Sequence, residues 1–284
     1  MEEGPVRSEV EDGQALLTID RPAARNALSP EVVDSLRAAL ARAEGDPSVR
    51  VVVLTGAGDR VFSAGGDLAA MPPHARSPAP GGRPRSGAGA PPVHAQPEGG
   101  VHAGHALRRA YGSLLEALAA SPLPTVARVN GHALGGGLGL VLACDLAVAV
   151  DTAELGTPEV DVGLFPMMVL AWLQRHVGRK RALELLLTGD RLTAEEALRW
   201  GLVNRVVPRG ELDAATRVLA ARVAGKSRAV LGLGKSAFRS AERMSVPAAM
   251  DFLAGQLSLN LELEDATEGI SAFLERRSPR WKDR

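Results

Sequence analysis

Apolar positions along the chain alternate between short dense runs and helix-spaced stretches. The run ALLTID (Ala15 to Asp20) reads as a strand, followed by the turn-rich RPAARNAL. A helix is predicted to open at Ser29-Pro30-Glu31: the serine caps, proline takes the first helical position, and glutamate faces the positive end of the dipole. Val32, Val33, Leu36 and Leu40 give that helix one apolar face. VRVVVLTG (Val49 to Gly56) is a continuous β-branched run without polar alternation, which predicts a strand buried on both faces. TVARVNG, after Pro122 and Pro124, and DLAVAV (Asp145 to Val150) predict two more strands. Beyond residue 180 the spacing turns helical in RKRALELLLTG, TAEEALRWGL, ELDAATRVLAARVA and SRAVLGLGKSAFRSAERM. Thr193 and Glu196 form a capping-box pair, and VNRVVP is a short strand between helices. Strands alternating with helices favour an α/β fold with parallel pairing.

One segment breaks the pattern. Met71 to Ala103 is dominated by Pro, Gly, Ala and Ser with no apolar periodicity, so it is expected to be a mobile insertion. His74, His94 and His102 lie in it, and His105 lies just beyond. The spacing His102-x-x-His105 can bind a metal, but solvated loop histidines are the ordinary reading, and no metal site is expected. The balance of 33 Lys and Arg against 33 Asp and Glu gives no basic excess for a nucleic-acid partner. A single cysteine, Cys144, excludes an internal disulfide and suits a reducing compartment. The polar start MEEGPVRSEVEDG is unlike a signal or transit peptide, and no apolar run reaches the ~20 residues of a membrane span. The expected location is therefore cytoplasmic, without a membrane partner.

The densest glycine cluster, HALGGGLGL (His132 to Leu140), runs straight into apolar sequence. It fails the dinucleotide fingerprint, because from Gly135 and Gly137 the third glycine falls on Leu140. GLGKS (Gly232 to Ser236) has Ala229 where a phosphate loop needs glycine, and it sits in a helical pattern. What remains is glycine used to expose backbone donors at a helix start. VFSAGGDL (Val61 to Leu68) is a second turn of the same kind. Either alone is also what a tight connection looks like; together they can each supply one N–H to a single oxygen, as an oxyanion hole does.

With these stations in place, the chain resembles the enoyl-CoA hydratase/isomerase (crotonase) superfamily. RPAARNALS, VRVVVLTGAGDRVFSAGGDL, VNGHALGGGLGLVLACDLAVA, LGTPEVDVGLFP, LLLTGDRLTAEEALRWGLVNRVV and EGISAFLERRSPRW match in family order and span nearly the whole chain outside the insertion. The resemblance implies a crotonase-like spiral of strand–strand–helix turns over residues 1–207, carrying the insertion 71–103, and a helical region over 208–284 that assembles trimers or dimers of trimers. It implies an acyl-CoA thioester as substrate and no cofactor beyond the coenzyme A of that substrate. The oxyanion hole falls on the N–H groups of Gly66 and Gly136. Contacts to coenzyme A or substrate fall near Ala24 and Arg25, on Ala64 and Leu68 beside the adenine, on Asp67, and on Phe273 and Arg276, sometimes across a subunit boundary.

The resemblance also marks a departure. Hydratases of the family use two glutamates. The position of the first is Gly139 here, and the second is present as Glu159 in LGTPEV. A lone carboxylate suits shifting a double bond, as in the family's Δ3,Δ2-enoyl-CoA isomerases, more readily than adding water, which wants help at two centres. Met167 stands where other members place an aspartate, which speaks against dienoyl isomerase, dehalogenase and hydroxyisobutyryl-CoA hydrolase readings. Asp161 is an alternative second acid, although a structural carboxylate is its ordinary role. Glutamate at position 139 is expected to restore the second carboxylate if the scaffold still holds that place open. The contrasting reading is a non-catalytic acyl-CoA binder that has lost the first glutamate.

Overall fold

The computed structural model describes residues 4–67 and 101–284. Leu68 and the insertion up to residue 100 lie outside the described residues. Its last three positions, Val101 to Ala103, are instead helical, since a helix starts at Val101. That helix is sustained by the apolar spacing of Leu107, Tyr111, Leu114 and Leu118, and a helix once nucleated extends cheaply toward its N-terminus.

The chain opens with an antiparallel hairpin of β1 (Val6–Glu11) and β2 (Gln14–Ile19). Asp12 and Gly13 both take positive φ, 48° and 74°, which is the two-residue turn that matches strand twist. The helix α1 (Pro30–Gly45) follows, and the Ser29 side chain accepts from the Val32 N–H as the sequence predicts. From there each turn of chain lays a strand in one sheet, a short strand in another, and then a helix. β3 (Val51–Gly56), β4 (Val61–Ser63) and α2 (Val101–Ala120) make one turn. β5 (Thr125–Val129), β6 (His132–Leu134) and α3 (Gly136–Ala143) make the next. β7 (Leu146–Val150) and β8 (Glu154–Gly156) lead to α4 (Met167–His176) and α5 (Arg179–Thr188). Then come β9 (Arg191–Thr193), α6 (Ala194–Trp200), whose capping box is formed, and β10 (Arg205–Val207).

The result is a spiral: the large sheet runs β1-β2-β3-β5-β7-β10 and the small one β4-β6-β8-β9. Every large-sheet pair beyond the first hairpin is parallel. Both faces of the large sheet are covered. One belongs to the main core, with Leu17, Leu36, Leu54, Leu115 and Leu140; the other, at Val51, Val53 and Val126, packs on Ala220 and Ala224 of α7 (Leu212–Ala224). This two-sided cover is why β3 reads as unbroken valine and leucine. The chain ends in α8 (Arg228–Ala241), α9 (Val246–Leu261) and α10 (Glu264–Leu274). Its last residues are tied down: Asp283 accepts from Arg50 at 2.6 and 3.1 Å and from the Arg228 N–H at 2.8 Å.

The turn before α1 is held by a buried asparagine. Asn26 donates through Nδ2 to the carbonyls of Ala57 (3.0 Å) and Val61 (2.8 Å) and accepts from the Arg21 N–H (3.1 Å). Its φ of +54° is a conformation that asparagine tolerates better than most residues. Asn26→Ala loses all three bonds and orphans buried groups, so it is expected to cost roughly 2–4 kcal/mol of stability, read from urea unfolding. A loss below about 0.5 kcal/mol would mean that water replaces the amide without penalty.

Candidate active site

Three separate sequence stations meet at the ends of the small-sheet strands. β4 and β6 pair in parallel, Ser63 against Ala133, so the glycine turns that follow them come out side by side. The contact is close: a Cβ on Gly65 would lie 2.8 Å from the Gly136 nitrogen, and one on Gly136 would lie 3.5 Å from the Gly65 Cα. Gly65 and Gly135 hold φ of +87° and +52°, so both turns need glycine for conformation as well as for space.

The backbone directions follow from the bonds around them. The Leu28 N–H donates to the Gly65 carbonyl (2.8 Å) and the Asp67 N–H to the Leu28 carbonyl (3.3 Å), a parallel bridge that brackets Gly66. Such a bridge turns the bracketed residue's own N–H away from its partner, and Gly66 is exposed. Gly136 opens α3, in the first turn of a helix, where N–H groups have no partner inside the helix. The pair predicted from glycine placement is thus assembled as two neighbouring turns.

Glu159 arrives from the third station. β6 pairs with β8, and the Gly135 N–H donates to the Gly156 carbonyl at 2.8 Å. Three residues later a short 3-10 turn (Pro158–Val162) carries Glu159, anchored by Thr157 donating to the Leu185 carbonyl at 3.0 Å and by the Leu164 N–H donating to the Glu159 carbonyl at 3.0 Å. The carboxylate lies over the glycine turn: a Cβ on Gly135 would be 2.5 Å from its Oε1. Its Oε2 is buried without a hydrogen-bond partner. Burial holds the carboxyl above the ordinary glutamate value, opposed only in part by a backbone hydrogen bond. A carboxylate left short of partners beside two glycine turns with backbone donors at their tips is suited to exchanging protons with something held by those donors.

The other expected residues divide. Arg25 and Ala64 are joined, the Ala64 N–H donating to the Arg25 carbonyl at 3.0 Å, with Ala24 in the adjoining turn. Asp67 is paired with Arg21 at 3.0 Å, and the same Arg21 nitrogen donates to the Ala27 carbonyl at 2.9 Å; this bridge braces the Gly66 turn against the turn before α1. Leu68 lies outside the described residues. Phe273 and Arg276 are exposed at the end of α10, which packs against α8 and α9, so this chain's own contacts do not bring them to the glycine turns. Asp161 is exposed and faces Gly189, and Met167 is exposed at the start of α4. Among the described residues no group of three or more His, Cys, Asp or Glu is placed to hold a metal ion. No helix among them is long and apolar enough to cross a membrane.

One expectation is corrected. Position 139 is not held open for a side chain: a Cβ there would collide with the Tyr111 hydroxyl of α2. Tyr111 donates to the Gly136 carbonyl at 2.6 Å, and burial, then the nearby Glu159 charge, push its ionisation far above the usual tyrosine range. Tyr111 went unnoticed in the sequence because α2 follows directly on the proline- and glycine-rich segment. The signal was available in the helix spacing from Leu107 to Leu118.

A family model described as enoyl-CoA hydratase/isomerase matches residues 9–81 and 94–284. The chain is 38% identical over 274 residues to a putative enoyl-CoA hydratase of Thermus thermophilus, covering 96% of this chain and 99% of that protein. It is 34% identical over 270 residues to a crotonyl-CoA hydratase of Syntrophomonas wolfei, covering 95% and 94%. An enoyl-CoA hydratase structure from Mycobacterium smegmatis superposes with a TM-score of 0.85 at 34% identity, covering 98% of this chain and 99% of that one. The spiral, the converging glycine turns and these matches agree, and the chain belongs to the enoyl-CoA hydratase/isomerase family of enzymes.

Proposed function

We propose that this enzyme moves a proton at the carbon next to a coenzyme A thioester, with Glu159 as its acid and base and the N–H groups of Gly66 and Gly136 holding the thioester oxygen. The observation that carries this reading is the Glu159 carboxylate, packed on Gly135 with one oxygen buried and unpartnered. Removing a proton from C2 of a 3-enoyl-CoA places negative charge on the thioester oxygen, where two backbone donors stabilise it. Returning that proton to C4 gives the conjugated 2-enoyl-CoA. One carboxylate suffices for both steps, so double-bond isomerisation is the reaction best supported. Hydration of a 2-enoyl-CoA is the second reading, favoured by the names of the Thermus and Syntrophomonas relatives. Coenzyme A contacts are assigned to Ala24, Arg25, Ala64, Asp67 and Leu68. Purified protein offered short and long 2-enoyl- and 3-enoyl-CoA separates the readings: isomerisation should outrun hydration, and the reverse would favour the second.

The same reading includes a homotrimer or a dimer of trimers in the cytoplasm. Val246, Met250, Leu257 and Leu259 of α9 and Phe273 and Leu274 of α10 are all more than half exposed, an apolar surface that suits subunit contact. Phe273 and Arg276 are then offered to the coenzyme A of a neighbouring subunit. Sedimentation should give three or six times the 29.7 kDa of one chain. A monomer with full activity would remove this part of the proposal.

A further inference from the structure

We propose that Tyr111 is the specificity-determining residue of this site: its hydroxyl fills the place of a second acid–base group beside Gly139 and pins Gly136, so that Glu159 works alone. The inference rests on the role given to Glu159 above. Several observations carry it. The Tyr111 hydroxyl occupies the space into which any side chain at position 139 would project, and Leu115 of the same helix closes that space further, 3.5 Å from a Cβ at 139. The hydroxyl also lies 3.4 Å from where a Gly136 Cβ would stand, so it borders both the first turn of α3 and the candidate oxyanion donor. Gly112, the next residue, has the Met168 methyl of α4 against it, 2.6 Å from where a Cβ would stand. Tyr111 is held by partial packing on the main core and by its bond to the Gly136 carbonyl.

The chemistry follows from a phenol's single proton. That proton is committed to the Gly136 carbonyl at 2.6 Å, so the hydroxyl offers the rest of the site lone pairs only and is no proton donor to carbon. Partly buried, with the Glu159 charge acting on it, it also stays un-ionised, which removes it as a base. A hydrogen-bonded neutral group thus stands where a second ionisable group would otherwise orient water. The proton that Glu159 takes from C2 is left to return to the substrate at C4, with no water activated at the opposite side.

Two variants test this, alongside Glu159→Gln. Tyr111→Phe keeps the ring but frees the Gly136 carbonyl. Its kcat for isomerisation is expected to fall about tenfold, the worth of one good hydrogen bond, with KM within about twofold of wild type. Tyr111→Ala combined with Gly139→Glu replaces the hydroxyl by a carboxylate, and the ratio of hydrated to isomerised product should rise at least about tenfold, the low end of what one acid–base group supplies. Should the double variant fail to fold, the kcat and KM of Tyr111→Phe still decide. Wild-type kcat in Tyr111→Phe, or an unchanged product ratio in a folded double variant, would overturn the role of Tyr111. If Glu159→Gln is inactive at the same time, the Glu159 reading stands while this one falls; an active Glu159→Gln would remove the base itself.

Discussion

Glu159→Gln is expected to lower turnover of an enoyl-CoA by at least ~10²-fold and, near neutral pH, to raise the Tm. The substitution keeps the side-chain shape and removes the base. The gain in Tm follows from the same burial that makes the carboxylate useful. With its carboxyl held above the ordinary glutamate value by desolvation, Glu159 binds its proton more tightly in the folded chain than in the unfolded one. Its favourable contribution is then fully present below the unfolded value, about 4.3, and is lost as pH rises through the folded one. Above the folded value the wild type carries a partly desolvated charge, a cost that the neutral amide does not carry. The Tm difference should therefore shrink as pH is lowered toward the unfolded value. The wild-type kcat/KM should fall on acidification with an apparent pKa above that of free glutamate. Thermal scans and pH–rate profiles of both proteins check the two halves separately. Full activity in Glu159→Gln would move the search for a base to Asp161.

Gly136→Val carries the second large effect, a fall in kcat/KM of about 10²–10³-fold, the cost of losing one oxyanion donor. The backbone of Gly136 does not need positive φ, and the position is half-buried. A Cβ there fits tightly, 3.2 Å from Leu28 Cδ1 and 3.4 Å from the Tyr111 hydroxyl. It would also lie 3.5 Å from the Gly65 Cα, so the branching methyls of valine crowd the place where the two glycine turns meet and where the thioester oxygen is assigned. Gly137 is the contrast: a Cβ at that position would run into the Ser63 carbonyl, so substitution there damages the β4–α3 packing itself. A folded Gly136→Val protein with unchanged kcat/KM would sink the assignment of the hole, and the Tm of each variant separates steric blockade from misfolding.

Much of this was legible in the chain alone, for identifiable reasons. The valine run of β3, the Ser29-Pro30-Glu31 start of α1 and the Thr193–Glu196 box of α6 depend on neighbours within a few residues, so local pattern suffices for them. The glycine turns at 65–66 and 135–137 and the LGTPEV station were readable because glycine clusters after strands, and the order of motifs, survive as linear sequence. The hairpin at Asp12-Gly13 had a readable turn, but β1 lies almost wholly exposed on the sheet edge and offers no apolar alternation to announce a strand. β4, β6, β8 and β9 are three residues each, too short for a period to register.

Only the tertiary structure decided how these pieces meet. Residues 65 and 136 become neighbours because parallel pairing of β4 and β6 sets two turns side by side, and strand pairing across dozens of residues leaves no mark on either segment. Glu159 reaches them through one further pairing, β6 with β8. What fills the space beside Gly139 was likewise beyond the sequence: a glycine there reads as an empty place, and the group that occupies it comes from α2, nearly thirty residues earlier. The local chemistry of each group was written in its own segment. The distances between them arose from how the spiral packs.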